Sequence, residues 1–173
     1  MQCHPGVRLK PAARCFAVLL ALLPVSAVHA ADTGKPAPDI VVHAADGSTQ
    51  KLSVLRGKIV YVDFWASWCI PCRESFPWMN DMQRKYADRD LVIVAVNLDA
   101  KRTDADAFLA RYPAQFRVVY DADSGTAREF GVKAMPTSFL VGRDGTLLYE
   151  HRGFKGSETA PVEAEIERAL AAK

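Results

Sequence analysis

Cysteine is scarce in this chain, and the little there is lies in two unlike places. Of four cysteines, Cys3 and Cys15 fall within the first thirty residues, and only Cys69 and Cys72 follow. One disulfide closing so short a loop constrains an unfolded chain very little, so a disulfide-stapled scaffold is a poor explanation of the spacing. Histidine is equally sparse: beyond residue 30 there are His43 and His151, with no paired spacing. A lone C-x2-C is half of a zinc site, and no second pair completes it, so no metal is expected. Repeats and low-complexity tracts are lacking, which excludes solenoids and flexible tails. Neither sign of charge dominates, with 22 basic against 20 acidic residues. No basic patch therefore points to nucleic acid or to a membrane surface.

What is there divides at residue 30. The opening MQCHPGVRLKPAAR carries Arg8, Lys10 and Arg14 and no acid, and CFAVLLALLPVSAV follows, too short for a comfortable membrane span. Pro24 breaks the apolar run, and Val28-His29-Ala30 resembles a small-residue cleavage site. These are the three parts of a secretory signal peptide, residues 1–30. The alternative is an uncleaved anchor facing the same compartment. A lipoprotein is disfavoured, since Arg14 precedes Cys15 where a small residue is needed. Loss of three basic residues and no acids takes the formal charge from +2 to −1. The remaining residues, 31–173, suffice for one domain with a proper core, and export takes Cys69 and Cys72 to an oxidising compartment, where disulfides form readily.

Along that domain, Ala31 to Asp39 reads as a linker or arm, Ile40 to Val42 as a short strand and Ala45 to Ser48 as a turn. KIVYVDFWA, from Lys58, is a near-continuous β-branched and aromatic run, the pattern of a strand buried on both faces. From Cys69 to about Tyr86 the apolar residues Phe76, Met79, Met82 and Tyr86 recur at helical spacing, with Pro77 expected to kink that helix rather than end it. LVIVAVNL from Leu91 is a second buried strand. Asp104 to Arg111 reads as a helix, Phe116 to Tyr120 as a strand, and Ser124 to Phe130 as a short helix with Asp123 as its cap. Thr137 to Val141 and Thr146 to Arg152 form a hairpin about Arg143-Asp144-Gly145, and Val162 to Ala171 a closing helix. Alternating strands and helices ending in a hairpin predict an α/β fold with a mixed central sheet flanked by helices.

The chemistry concentrates in DFWASWCIPCRESFP, Asp63 to Pro77. A cysteine at the first turn of a helix faces unpaired N–H groups and the positive end of the helix dipole, both of which favour thiolate. Cys69 is therefore the expected exposed nucleophile. Cys72, one turn on, is placed to attack a mixed disulfide at Cys69, so that the pair passes two electrons and closes as a Cys69–Cys72 redox disulfide. Pro71 lacks an N–H and stiffens the turn. Asp63 lies on the buried strand, where apolar surroundings raise a carboxyl pKa, and is the expected acceptor of the Cys72 proton.

DFWASWCIPC resembles the thioredoxin active site, with Trp65, Trp68 and the acid Asp63, and Pro77 matches that superfamily's helix-kink proline. FGVKAMPTSFLVGRDG, from Phe130, resembles the segment carrying its cis-proline, which implies cis at Met135–Pro136. APD at Ala37, LRGKIVYVDFWASWC from Leu55 and CRESFP resemble the periplasmic TlpA/ResA-like branch, which includes the cytochrome c maturation thioredoxins. Thr103 to Tyr120 resembles the helix–strand insertion of that branch, between the second and third strands of the thioredoxin core. The resemblance implies a thioredoxin-like fold and a thiol–disulfide oxidoreductase of the protein-disulfide reductase type. Cys69, Cys72 and Asp63 would be its catalytic residues, supported by Trp68, Pro71, Met135 and Pro136. Pro136 would shape the backbone that pairs with an extended substrate segment. The implied partners are cysteine-containing substrate proteins and a membrane thiol–disulfide electron carrier that recharges the pair. No cofactor is needed, and the chain is expected to act as a monomer. The chain also departs from that branch: Ser75 stands where many members carry Glu, Asp63 where many carry Asn, and Ala95 near the position of thioredoxin's lysine.

The rival reading is copper binding or delivery through the two soft thiolates. Copper-assembly proteins of related fold space their cysteines C-x3-C and add a downstream histidine; this chain has C-x2-C. A thiol peroxidase would want Thr-x-x-Cys, where this chain has Ser67-Trp68-Cys69. Three further features have blander readings. DADSG at Asp121 lacks the third acid of a calcium loop, its Gly125 is one place early and Val132 stands where glutamate is needed, so it reads as a helix cap. Met79 reads as core and Trp78 as core or substrate-facing. The charged run Lys101 to Asp106, with His43 and His151, reads as surface.

Processing after Ala30 gives a mature chain beginning at Ala31. N-terminal sequencing of protein recovered from a periplasmic extract tests this, and a retained Met1 identifies an uncleaved anchor.

Overall fold

The computed structural model describes residues 1–2, 33–44 and 47–172. The expected leader beyond its first two residues, and positions 45–46 of the expected turn, lie outside the described residues. Strand β3 (Ile59–Trp65) is the axis of the molecule: all seven of its side chains are buried. It lies between β4 (Leu91–Asn97), parallel to it, and β6 (Thr137–Val141), antiparallel. Seven described strands make one mixed sheet in the order β2-β1-β5-β4-β3-β6-β7. Here β1 is Val41–Ala44, β2 Thr49–Lys51, β5 Arg117–Tyr120 and β7 Leu147–Arg152. Helices α1 (Ile70–Tyr86), α2 (Arg102–Arg111), α3 (Gly125–Glu129) and α4 (Ala160–Ala171) complete the expected α/β fold.

Alternation along β3 sorts the core into two. Ile59, Tyr61 and Trp65 face α1, α2 and α4, where Phe76, Met79, Phe108 and Ile166 meet them. Val60, Val62 and Phe64 face the other way, onto Ile40, Val96, Phe130 and Phe139. The first cluster is strongly aromatic, with the rings of Trp65, Phe76 and Phe108 at mutual distances of 4.8, 4.8 and 4.9 Å. Because Phe108 belongs to α2, this packing ties the α2–β5 insertion to the start of α1. The insertion sits between β4 and β6, the second and third strands of the β3-β4-β6-β7 core.

Several boundaries differ from the sequence reading. The first strand is Val41–Ala44, and a further strand, Thr49–Lys51, pairs with it antiparallel. The expected linker does form an arm: Gly34 donates to the carbonyl of Leu147 and Leu147 to that of Lys35, both at 2.8 Å, and Pro36 bridges Thr146. Helix α1 continues through Pro77. The hairpin turn is as expected, with Gly145 taking its left-handed position at φ 83°.

The cap of α3 is a correction. Asp123 does not cap it; Asp121 does, accepting from the N–H groups of Gly125 and Thr126 at 3.0 Å, from that of Ala127 at 3.3 Å and from the Thr126 hydroxyl. Ser124, in the left-handed region at φ 58°, turns the chain so that the buried carboxylate of Asp121 meets three helix N–H groups that would otherwise lack partners. Asp121→Ala is expected to destabilise the protein by about 2 kcal/mol, the scale of a lost cap with charge-assisted bonds. Urea unfolding measures it, and Asp123→Ala, read in parallel, is expected to change stability much less.

Candidate active site

The end of β3, the loop 66–69 and the first turn of α1 form one continuous strand–helix junction. Cys69 is the N-cap of α1, in extended conformation, and its sulfur accepts the Cys72 N–H at 3.3 Å. Ile70 and Pro71 occupy the first two helical positions, where proline's missing N–H costs no bond. A disulfide joins Cys69 to Cys72. The expected exposure of Cys69 is corrected: it shows 4% of its surface and Cys72 none. In the disulfide the Cys69 sulfur is turned onto its partner, and the exposed groups are its neighbours Trp68 (69%) and Ile70 (64%). Among the described residues no metal-ligand cluster of three or more histidine, cysteine or carboxylate side chains exists.

Asp63 lies under this junction, on the α1 side of the sheet between Tyr61 and Trp65. It is 1% exposed. Its Oδ1 accepts the Ser138 hydroxyl at 2.7 Å, while Oδ2 has no partner among the described residues. In the sheet it lies opposite Ala95 on one side and Ser138 on the other. No cation therefore compensates it from either adjoining strand. Burial pushes its pKa up to about 7, against the modest lowering by Ser138. The Tyr61 phenol beside it is pushed far above its ordinary range by the same burial and by the negative charge of Asp63.

Met135–Pro136 is a cis peptide bond. Met135 packs against the cluster that holds both cysteines, and the Pro136 carbonyl accepts the Gly153 N–H at 2.8 Å, pinning this turn to the end of β7. Trp78 is half-buried, its ring 5.7 Å from those of both Tyr61 and Phe154. Met79 is wholly in the core. Ser75, at the position where glutamate was the pattern, is buried and donates to the Cys72 carbonyl at 3.0 Å, whereas Glu74 faces solvent. The acid of this site thus comes from the strand below the helix.

Two groups of residues were missed by the sequence reading. Asp99, nearly buried, accepts from both the N–H and the hydroxyl of Ser67 at 2.9 Å and from the Asn97 amide at 2.8 Å, clamping the loop before Cys69 to the end of β4. Ser138 is the other; its signal was a pair of hydroxyl residues, Thr137 and Ser138, opening the strand TSFLV.

The redoxin family model matches residues 32–170. The thiol-disulfide oxidoreductase ResA of Bacillus thuringiensis subsp. konkukian is 33% identical over 127 residues, which is 73% of this chain and 73% of that one. A crystal structure from Chlorobium tepidum, assigned as a thiol:disulfide interchange protein DsbE, superposes with a TM-score of 0.79 at 50% identity, covering 82% of this chain and 100% of that chain. A solution structure from Bacteroides thetaiotaomicron, assigned as a protein disulfide isomerase, gives 0.73 at 26% identity, covering 81% of this chain and 91% of that chain.

Asp63 makes stability depend on pH in a direction opposite to that of a salt-bridged carboxylate. Its folded pKa of about 7 lies above the ordinary 3.8. Below the ordinary value the carboxyl is protonated in both states and costs nothing. Between the two values the penalty grows by about 1.4 kcal/mol per pH unit, and above the folded value it is constant. Asp63→Asn is therefore expected to stabilise the oxidised protein by roughly 2–4 kcal/mol at about pH 7.5, with the gain shrinking towards pH 4. Urea unfolding across this range measures it; a variant less stable than the parent at pH 7.5 means that the charge itself supports the fold.

Proposed function

The chain belongs to the redoxin family and is a ResA-like thiol–disulfide oxidoreductase of the thioredoxin superfamily, and we propose that it works in the periplasm as a reductant of exported, cysteine-containing proteins. The observation that carries this reading is the Cys69–Cys72 pair at the N-terminus of α1 with an uncompensated buried acid beneath it.

In the reduced protein the helix N-terminus holds the Cys69 sulfur as thiolate. It attacks one sulfur of a substrate disulfide, forming a mixed disulfide and releasing the other substrate sulfur as thiolate. Cys72 then loses its proton to the Asp63 carboxylate and attacks the Cys69 sulfur. The Cys69–Cys72 bond forms, the mixed disulfide breaks, and two electrons have passed to substrate. A base whose pKa lies near the working pH is suited to both taking and returning a proton. The Ser67–Asp99 clamp holds the loop that presents Cys69. Trp68 and Ile70 offer apolar surface to the substrate, and Met135 and Pro136 border the groove for its extended segment. A membrane thiol–disulfide electron carrier returns the pair to the dithiol.

The assigned roles have distinct signatures. Cys72→Ser is expected to accumulate mixed disulfides through Cys69, and Cys69→Ser almost none, as seen on non-reducing gels after acid trapping. Equal accumulation by the two variants reverses or abolishes the assignment. Asp63→Asn is expected to slow insulin reduction on the order of a hundredfold near neutral pH, in the step where Cys72 deprotonates; reaction at the parent rate removes Asp63 from the mechanism.

A further inference from the structure

Asp63 has to exchange its proton with solvent once per catalytic cycle, yet it is among the most deeply buried groups of the protein. In the β3–β4 direction its neighbour is the methyl of Ala95. In the other direction the sheet register places Ser138 of β6 opposite Asp63, and His151 of β7 opposite Ser138. Side chains directly opposite on adjacent strands share a face, with Cβ atoms about 4.5–5.5 Å apart. Asp63, Ser138 and His151 thus form one polar row across three strands, running from the centre of the sheet to its edge. Exposure follows the row, from 1% at Asp63 and 3% at Ser138 to a half-buried His151. The adjacent row, Tyr61, Leu140 and Tyr149, is aromatic and aliphatic, and it flanks the polar row on one side.

We infer that Ser138 and His151 carry the proton between Asp63 and solvent, with the Ser138 hydroxyl as the reversible link. This rests on the reading of Asp63 as the base for Cys72. While Asp63 is charged, the Ser138 hydroxyl donates to it at 2.7 Å. Once Asp63 has taken the Cys72 proton, the direction reverses. The Asp63 O–H bond breaks as its proton passes to the Ser138 oxygen, and the hydrogen that Ser138 carried passes through one bridging water to the His151 ring, where an N–H bond forms; the strand register brings the two side chains together without a direct bond between them. His151 then releases it to water. One proton leaves, no electron moves, and Ser138 ends as it began. Recharging of the cysteines runs the row backwards.

The surroundings suit His151 to this task. Its ring stacks on Tyr149 with 16° between the planes, which holds it on the inner face of β7. Burial lowers its pKa, and Glu158, from the turn Gly156–Glu158, pulls the other way. The remaining titratable groups facing the row are Tyr61 and Tyr149 on the sheet and Cys72 on α1; the Tyr61 phenol lies near Ser138, which works against the upward push of burial on it. Glu150 and Arg152 flank His151 on the opposite face of β7 and pair with each other at 2.5 Å. His151 is accordingly neutral, and an acceptor, at working pH.

The test compares His151→Ala, His151→Gln, Ser138→Ala and Asp63→Asn in the full mature chain, with insulin as substrate, dithiothreitol as reductant and unfolding midpoints as a check on folding. At neutral pH both His151 variants are expected to react on the order of tenfold more slowly than the parent. Added imidazole should restore His151→Ala in proportion to its concentration while leaving the parent unchanged. Ser138→Ala should slow the reaction and move the midpoint of its pH–rate profile upward, since Asp63 loses its one hydrogen bond. Parent rates in the His151 and Ser138 variants beside a slow Asp63→Asn overturn the path and leave Asp63 as the base. A slow His151→Ala that imidazole does not restore makes His151 structural and also overturns the path. A parent rate in Asp63→Asn overturns both the base and the path.

Discussion

The complete burial of β3 is the constraint on which the rest of the structure depends. A strand enclosed on both faces and paired on both edges leaves no position from which a side chain reaches water. Six of its seven positions are apolar or aromatic, as that demands; the seventh is Asp63, and its chemistry follows from where it stands. In a solvated position the same carboxyl would be a permanent anion of no use to a thiol. Held between Ala95 and Ser138, with Oδ2 unpartnered among the described residues, it becomes a group that changes charge near neutrality. The parallel partner β4 meanwhile brings Asn97 and Asp99 to the pole where β3 ends, and there they hold the loop that leads into α1. The acid and the cysteine are thus set by two properties of one strand, its burial and its direction.

The aromatic packing beneath α1 gives this arrangement its stiffness. Trp65, Phe76 and Phe108 come from β3, α1 and α2, so that strand, catalytic helix and insertion share one contact. Truncation of such a ring to alanine costs roughly 3–5 kcal/mol. The insertion is therefore part of the support of the active site as well as an extension of the sheet by β5.

Much of this was legible in the sequence, and the limits of legibility are physical. The run IVYVDFW, with no polar interruption except Asp63, announced a buried central strand. The spacing of Phe76, Met79, Met82 and Tyr86 announced α1 and the face that it buries. The acid could be named because it was the one charge in a stretch without exposed positions. What escaped was short or non-local. Thr49–Lys51 is wholly exposed and has no alternation to betray a strand. The cap of α3 depended on the left-handed turn at Ser124, which moved the role from Asp123 to Asp121. The Asp63–Ser138 bond joins residues 75 apart, and Ser67–Asp99 residues 32 apart. Such partnerships are decided by strand register, which no local pattern encodes.

The arm at Gly34 to Ala37 binds along the start of β7. β7 runs parallel to β3, since each is antiparallel to β6, so its start lies level with the start of β3. The cysteines follow the other end of β3, roughly 20 Å away at about 3.3 Å per residue. The molecule is consequently polar in the mechanical sense, with a handle at one end and a working tip at the other. A protein held by its N-terminus would present Cys69 at full reach from the point of attachment, free to sweep the space beyond it.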